Sequence, residues 1–262
     1  MTPVCGTASS TKSVNFNSGI SLDAISTLYV FGDSLSATGD HRGGTAPPAV
    51  PNPNTALHGG RASNGQMWNE VLLTKSGAKV ASFAIGGAVI DRTLYKSVKP
   101  TVSDMPTQVQ NYLDKKIKID PESSLTAVYF GTNDYGAAMK DKTAERPPIS
   151  RDAFLEHNKI IWDGMLKYQK SDNIKFARVE MGDLFKKIAD DPKSFGFVDN
   201  KNCLTSMKTT EGGCSNPRLH PFWFSGHPAA ETQKMVAQYV NLVLKNCGSS
   251  NVSSAERTKR KS

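Results

Sequence analysis

Four short apolar runs that stop at glycine constrain the fold of this 262-residue chain more than any other feature. Leu28-Tyr29-Val30-Phe31 ends at Gly32-Asp33, and Lys79-Val80-Ala81-Ser82-Phe83-Ala84-Ile85 ends at Gly86-Gly87. Leu125-Thr126-Ala127-Val128-Tyr129-Phe130 ends at Gly131, and Ile174-Lys175-Phe176-Ala177-Arg178-Val179 ends near Gly182-Asp183. Runs of this kind read as buried strands that break at a turn. Between them, apolar residues recur at helical spacing: Met67, Val71 and Leu72; Val109, Tyr112 and Leu113; Phe154, Ile161 and Met165. Residues 229–244, with Met235, Val236, Tyr239 and Leu242 on one side, should form the last helix. Strands alternating with helices predict parallel strands joined by crossover helices, and a sheet covered on both faces.

In open sheets of that kind ligands sit beyond the carboxyl ends of the strands, so the loops there should hold the chemistry. Residues 45–56 carry Pro47, Pro48, Pro51 and Pro53 and must be an extended surface loop. A second long loop is expected over 199–221. With 38% hydrophobic and 21% charged residues, the chain suits one core. A single catalytic domain over 1–247 and a basic, disordered tail over 248–262 are expected. That tail has Arg257, Lys259, Arg260 and Lys261 against Glu256, hence +3 of the net +8. It also carries the sequon Asn251-Val252-Ser253. The rest is mildly basic, so no nucleic-acid partner is expected, although polyanion binding through the tail is conceivable and would be salt-sensitive.

Cys5 and Cys247 lie near opposite termini, while Cys203 and Cys214 bracket a polar, glycine-containing loop. Two disulfides would tie the ends together and pin the loop. The competing metal reading needs ligand spacings that are missing here, including around His41, His58, His157 and His220. Disulfides favour an extracellular location. The sequence has no apolar run of transmembrane length, and residues 1–10 lack the basic start and apolar stretch of a secretory signal, so any signal is expected to have been removed.

The strand ends in order read Gly32-Asp33-Ser34-Leu35, Gly86-Gly87-Ala88 and Gly131-Thr132-Asn133-Asp134, followed before the last helix by Gly226-His227-Pro228. Acyl transfer needs such a set: a hydroxyl to attack, an imidazole to take its proton, and N–H donors around the oxygen that becomes negative. Glycines let backbone N–H groups approach that oxygen, and Asn adds a neutral donor. Taken singly, Ser34 is a helix cap or turn residue, Asn133 a turn former and Gly87 a bend. Asp33 and Asp134 follow strand ends directly and are expected to anchor loops through backbone N–H groups.

In these blocks the sequence resembles the GDSL, or SGNH, hydrolase family. Phe31-Gly32-Asp33-Ser34-Leu35-Ser36-Ala37-Thr38-Gly39 is similar to the first block, with Ala37 where an Asp is usual. Phe83-Ala84-Ile85-Gly86-Gly87-Ala88 resembles the second and Phe130-Gly131-Thr132-Asn133-Asp134 the third. Gly60-Arg61-Ala62-Ser63-Asn64-Gly65 and Trp68 also resemble a family segment. The resemblance implies a three-layer α/β/α, flavodoxin-like parallel sheet and ester hydrolysis with Ser34 as nucleophile and His227 as base. It further implies an oxyanion hole from the Ser34 and Gly87 N–H groups and the Asn133 side chain.

One position departs from the pattern. The family's last block places an Asp three residues before its His, where this chain has Phe224 in Trp223-Phe224-Ser225-Gly226-His227-Pro228. A backbone carbonyl of Phe224 or a neighbour, or a carboxylate such as Glu231, is expected to hold the imidazole instead. A weakened or inactive carbohydrate- or lipid-binding protein is therefore the alternative to an esterase. Arg61, Asn64 and Trp223 are expected to line the substrate cleft, although a Ser-Asn-Gly turn and core packing explain them nearly as well. The α/β-hydrolase Gly-x-Ser-x-Gly elbow, a phosphate loop and a dinucleotide fingerprint are all missing. We expect no cofactor, a monomer, and a small-molecule, carbohydrate or lipid ester substrate with a small acyl group.

Overall fold

A computed structural model describes residues 1–10, 14–74, 76–141 and 151–248, with backbone alone over 151–157. The tail and its sequon, apart from Gly248, lie outside the described residues, as does the Phe154 side chain. In chain order the elements are β1 (Phe16–Asn17), β2 (Thr27–Gly32), α1 (Trp68–Leu73), β3 (Lys79–Ser82), α2 (Met105–Asp114), β4 (Ser124–Tyr129) and α3 (Thr132–Lys140). There follow α4 (Arg151–Asp172), β5 (Ala177–Arg178), α5 (Met181–Asp190), β6 (Phe222–Phe224), β7 (His227–Pro228) and α6 (Ala230–Asn246). No helix among the described residues is long and apolar enough to cross a membrane. Among the described residues two compact units emerge, one drawn from 24–141 and 187–237, the other from 1–23, 151–186 and 238–248.

The first unit holds a parallel sheet in the order β3-β2-β4. Central β2 is buried along Leu28, Tyr29, Val30 and Phe31, as a strand covered on both faces must be. Tyr29, Phe31 and Phe83 pack with Tyr112 of α2, the Phe31 and Phe83 rings stacked at 5.5 Å. Helix α2 begins at Asp104, whose side chain accepts the Thr107 N–H, with a proline in the first turn. Its inward face is not the expected apolar one: Gln108 is fully buried and Tyr112 partly so, while Val109 and Leu113 are exposed. Arg61 and Glu70 form a bidentate pair at 2.7 Å for both bonds beside α1.

The loop 199–221 is not featureless. Cys203 and Cys214 are joined by a disulfide, and Cys203 and Leu204 donate backbone N–H bonds to the Phe222 and Trp223 carbonyls at 2.9 and 2.7 Å. Ala56, Ala62, Cys203, Leu204, Trp223, Phe224 and Ala229 make one core cluster there.

In the other unit, the fourth expected strand corrects the sequence reading. Only Ala177 and Arg178 of that run are extended, and they pair antiparallel with Phe16 and Asn17 rather than joining the parallel sheet. Phe16, Trp162 and Phe176 form an aromatic cluster, with the Arg178 guanidinium 4.0 Å from the Trp162 ring. Trp162 is the buried residue among the described side chains of α4, and its expected core neighbour Ile161 is exposed. Cys5 and Cys247 form the second disulfide. Asn15 donates to the Tyr239 hydroxyl at 2.9 Å, and Asn17 to the Leu244 carbonyl at 2.7 Å.

Candidate active site

Ser34 sits in the turn that follows β2. The turn is built by Asp33, whose carbonyl accepts the Ser36 and Ala37 N–H groups and whose carboxylate accepts the Leu35 N–H at 2.9 Å. These bonds leave the Ser34 N–H with no acceptor among the described residues. After β3, Ile85 to Ala88 close a turn through an Ala88 N–H to Ile85 carbonyl bond of 3.1 Å. Gly87 occupies its third position at φ +81°, which glycine adopts without strain. Its N–H also lacks an acceptor among the described residues. A Cβ on Gly86 would lie 3.8 Å from that of Ser34, so the turn abuts the serine.

Asn133 lies in the first turn of α3, which is capped by Gly131 just past the end of β4. Its amide Nδ2 donates to the Ala88 carbonyl at 2.9 Å and lies 3.4 Å from Asp33 Oδ2. Asp134 is buried and accepts the Ile90 N–H at 3.0 Å. Asp33 therefore receives a backbone N–H from its own turn, and Asp134 one from the neighbouring loop after β3. Burial pushes the Asp33 carboxyl up to about 6; the Leu35 N–H opposes that rise and the Asp134 charge adds to it.

His227 lies in β7, paired with β6 across Ser225 and Gly226. Its Nε2 is 2.8 Å from Ser34 Oγ, and its Nδ1 is 2.8 Å from the Ser225 carbonyl. Because a carbonyl only accepts, Nδ1 carries the hydrogen and Nε2 is left to accept the Ser34 hydroxyl. Burial holds the imidazole below its ordinary 6.5, with the Ser225 bond opposing. Phe224 is buried, its ring 4.5 Å from the imidazole. Glu231 does not reach His227: it pairs with Arg218 and Lys234.

Arg61, Asn64 and Trp223 are each bonded to other parts of the chain. Arg61 is 1% exposed, bound to Glu70 and to the His58 and Gly59 carbonyls, so its guanidinium is an internal clamp. Trp223 is buried and donates Nε1 to the Ala56 carbonyl at 2.7 Å. Asn64 accepts the Ala230 N–H at 2.7 Å and so caps α6. These contacts share a cause: each side chain satisfies a buried or terminal backbone group. Among the described residues no cluster of three or more His, Cys, Asp or Glu side chains could hold a metal ion. His220 instead pairs with Asp199 at 3.0 Å. Two features escape a sequence reading: the Asp33 contact to Asn133, and Gln108, which bonds Gly32.

Residues 28–240 match the profile described as GDSL-like Lipase/Acylhydrolase. The chain belongs to that family. Its sheet and flanking helices are the three-layer α/β/α arrangement of the SGNH hydrolase fold. A solved structure of a carbohydrate esterase family 2 enzyme with its carbohydrate-binding domain, from Corynascus thermopiles (Myceliophthora fergusii), is similar at 16% identity and a TM-score of 0.39. The similarity covers 83% of this chain and only 65% of that one. No curated protein sequence matches the chain.

Proposed function

We infer that this GDSL-family chain hydrolyses carboxylic esters through an acyl-Ser34 intermediate, with His227 as general base. What carries the inference is the 2.8 Å contact between His227 Nε2 and Ser34 Oγ, made while Nδ1 is held by the Ser225 carbonyl. The Nε2 lone pair takes the hydroxyl proton as Oγ bonds to the ester carbon, and the carbonyl π pair moves onto oxygen. The Ser34 and Gly87 N–H groups stand free to receive that oxyanion, and the Asn133 amide joins them by turning from the Ala88 carbonyl. The imidazolium passes its proton to the departing alkoxide. Water, deprotonated by His227, then attacks acyl-Ser34, and collapse releases the acid and restores the hydroxyl. Because burial lowers the His227 pKa, the base is neutral and ready at neutral pH. These steps require no cofactor.

Gly86, Gly87, Ser225 and Gly226 around the pair are all exposed, an arrangement that suits a small acyl group on a larger carbohydrate or lipid alcohol. Residues 1–247 act as one catalytic domain, since each compact unit is assembled from separated stretches of chain. Two disulfides support an extracellular enzyme.

The test is hydrolysis of a p-nitrophenyl ester series from acetate to palmitate by wild type, Ser34→Ala and His227→Ala. Either substitution should lower kcat by ~10⁴-fold or more, with the short esters hydrolysed best. Phe224 in the family's Asp position favours a second reading, a protein that binds such esters without turning them over. Folded wild type no faster than Ser34→Ala would establish that second reading.

A further inference from the structure

Gly32 is the last residue of β2, two positions before Ser34, and a buried side-chain amide grips its peptide groups. Gln108 of α2, 0% exposed, accepts the Gly32 N–H at Oε1 (3.0 Å) and donates from Nε2 to the Gly32 carbonyl (2.8 Å). That carbonyl also accepts the Ile85 N–H at 3.1 Å, so one side chain joins the strand end before Ser34 to the turn that presents Gly87. Two residues beyond Ser34, Asn69 Nδ2 donates to the Ser36 carbonyl (2.8 Å) and Trp68 Nε1 to Ser36 Oγ (3.1 Å). Asn69 and Ser36 are both fully buried.

The polar choice at 108 has a cost that an apolar residue would avoid. Its neighbour on the inner face of α2, Tyr112, packs on Tyr29, Phe31 and Phe83. A carboxamide buried beside such rings is tolerated only when its polar atoms are bonded. Gly32 explains the requirement. A Cβ there would lie 2.6 Å from the Tyr129 carbonyl oxygen, so the strand end must be glycine, the residue with the loosest backbone. The Gln108 amide removes that freedom just where it would misdirect the nucleophile.

We propose that Gln108 is a positioning residue: through the Gly32 peptide it sets the direction of the Ser34 Oγ and N–H towards the reacting ester, while Asn69 holds the far side at Ser36. The inference rests on Ser34 being the nucleophile.

A fluorophosphonate tests both levels, because the Ser34 Oγ–P bond forms as fluoride leaves and His227 takes the hydroxyl proton. Labelling rates of the full chain are compared for wild type, Ser34→Ala, Gln108→Met and Gln108→Glu, with kcat and KM on p-nitrophenyl acetate and thermal unfolding. Gln108→Met should label, and turn over, ~10- to 100-fold more slowly with KM nearly unchanged. In Gln108→Glu one oxygen still accepts the Gly32 N–H, but the other faces the Gly32 carbonyl and needs a proton. Its rate relative to wild type should therefore climb towards one as pH falls from about 8 to about 5, a ratio in which the His227 titration cancels. Normal rates per folded Gln108→Met molecule, whatever its thermal stability, overturn the proposal. If that variant does not fold, a pH-independent Gln108→Glu ratio overturns it. Wild type that fails to label overturns the nucleophile and the positioning role together, whereas labelling that is lost in Ser34→Ala but not slowed in Gln108→Met overturns only the latter.

Discussion

Ser34 and His227 meet at 2.8 Å, yet they are held in different ways. Around Ser34 the backbone is fastened by buried side chains: Gln108 at Gly32, the Asp33 carboxylate at Leu35, Asn69 and Trp68 at Ser36. Around His227 there is one backbone carbonyl, on a turn whose Ser225 and Gly226 are exposed. The support for that turn lies a step away, where Cys203 and Leu204 pair with Phe222 and Trp223. Ser34 is therefore held by the core, and His227 by a disulfide-pinned loop. Disturbing the first region should be read mainly in stability and in the direction of attack. Disturbing the second should be read in rate and pH.

The largest stability effect is expected in the clamp beside α1. Arg61→Met leaves the Glu70 carboxylate buried without its partner, which costs ~3 to 5 kcal/mol by chemical unfolding. Turnover per folded molecule should change by less than ~3-fold, since the guanidinium is internal. An undiminished stability with a raised KM would return Arg61 to the substrate cleft and break the comparison. Next comes Cys203→Ser with Cys214→Ser. The bridge closes a loop with a sequence separation of 11, and its removal should cost ~3 kcal/mol in unfolding experiments. Here kcat should also fall, by ~10-fold, because β6, the partner of the strand that carries His227, loses its support. Equal kcat in the reduced and oxidised forms would show that the base needs no such support.

The Ser34 side was also the more legible one in the sequence. Gly32, Gly86-Gly87 and Gly131 each terminate an apolar run, so sequence order alone places Ser34, Gly87 and Asn133 at neighbouring strand ends. What supports those residues was not legible. Apolar periodicity points to Val109 and Leu113 on α2 and passes over Gln108, because a buried carboxamide has the composition of a surface residue. Arg61 misleads for the same reason. On the other side, a carbonyl such as that of Ser225 exists at every residue, and only the path of the chain decides which one meets an imidazole. The run from Ile174 to Val179 has strand composition, but its partner is the two-residue β1, too short to announce itself by period.

A third effect, of ~2 kcal/mol, concerns the carboxyl beneath the nucleophile turn. Asp33 rises from 3.8 unfolded to about 6 folded, so between those values the folded state binds more protons than the unfolded one. Its contribution to stability is fully present below about 3.8 and is lost as pH climbs through about 6. Asp33→Asn should flatten that part of the stability curve measured by denaturant unfolding across pH 4 to 7. An unchanged slope would mean that Asp33 is already relieved by water or by Asn133, making the nucleophile side softer than its burial implies.

The smallest expected effect bears on the His227 side alone, and on why Phe224 can stand where a carboxylate is usual. The Ser225 carbonyl fixes the tautomer but brings no charge, so burial is left to lower the His227 pKa. The acid limb of kcat/KM in wild type should accordingly fall below pH 6.5, with activity lost as the imidazole protonates on going down. Phe224→Asp would place a negative charge beside a ring now 4.5 Å away, raising that pKa and moving the limb up by about one unit, whereas Phe224→Asn should leave it in place. Activity below pH 6 would then drop relative to wild type while the plateau above pH 8 changes by less than ~10-fold. A plateau that instead rises by ~10³-fold or more would mean that the carbonyl had been an inadequate substitute. In that case the exposed turn around His227 belongs to a protein built to hold an ester rather than to cleave it.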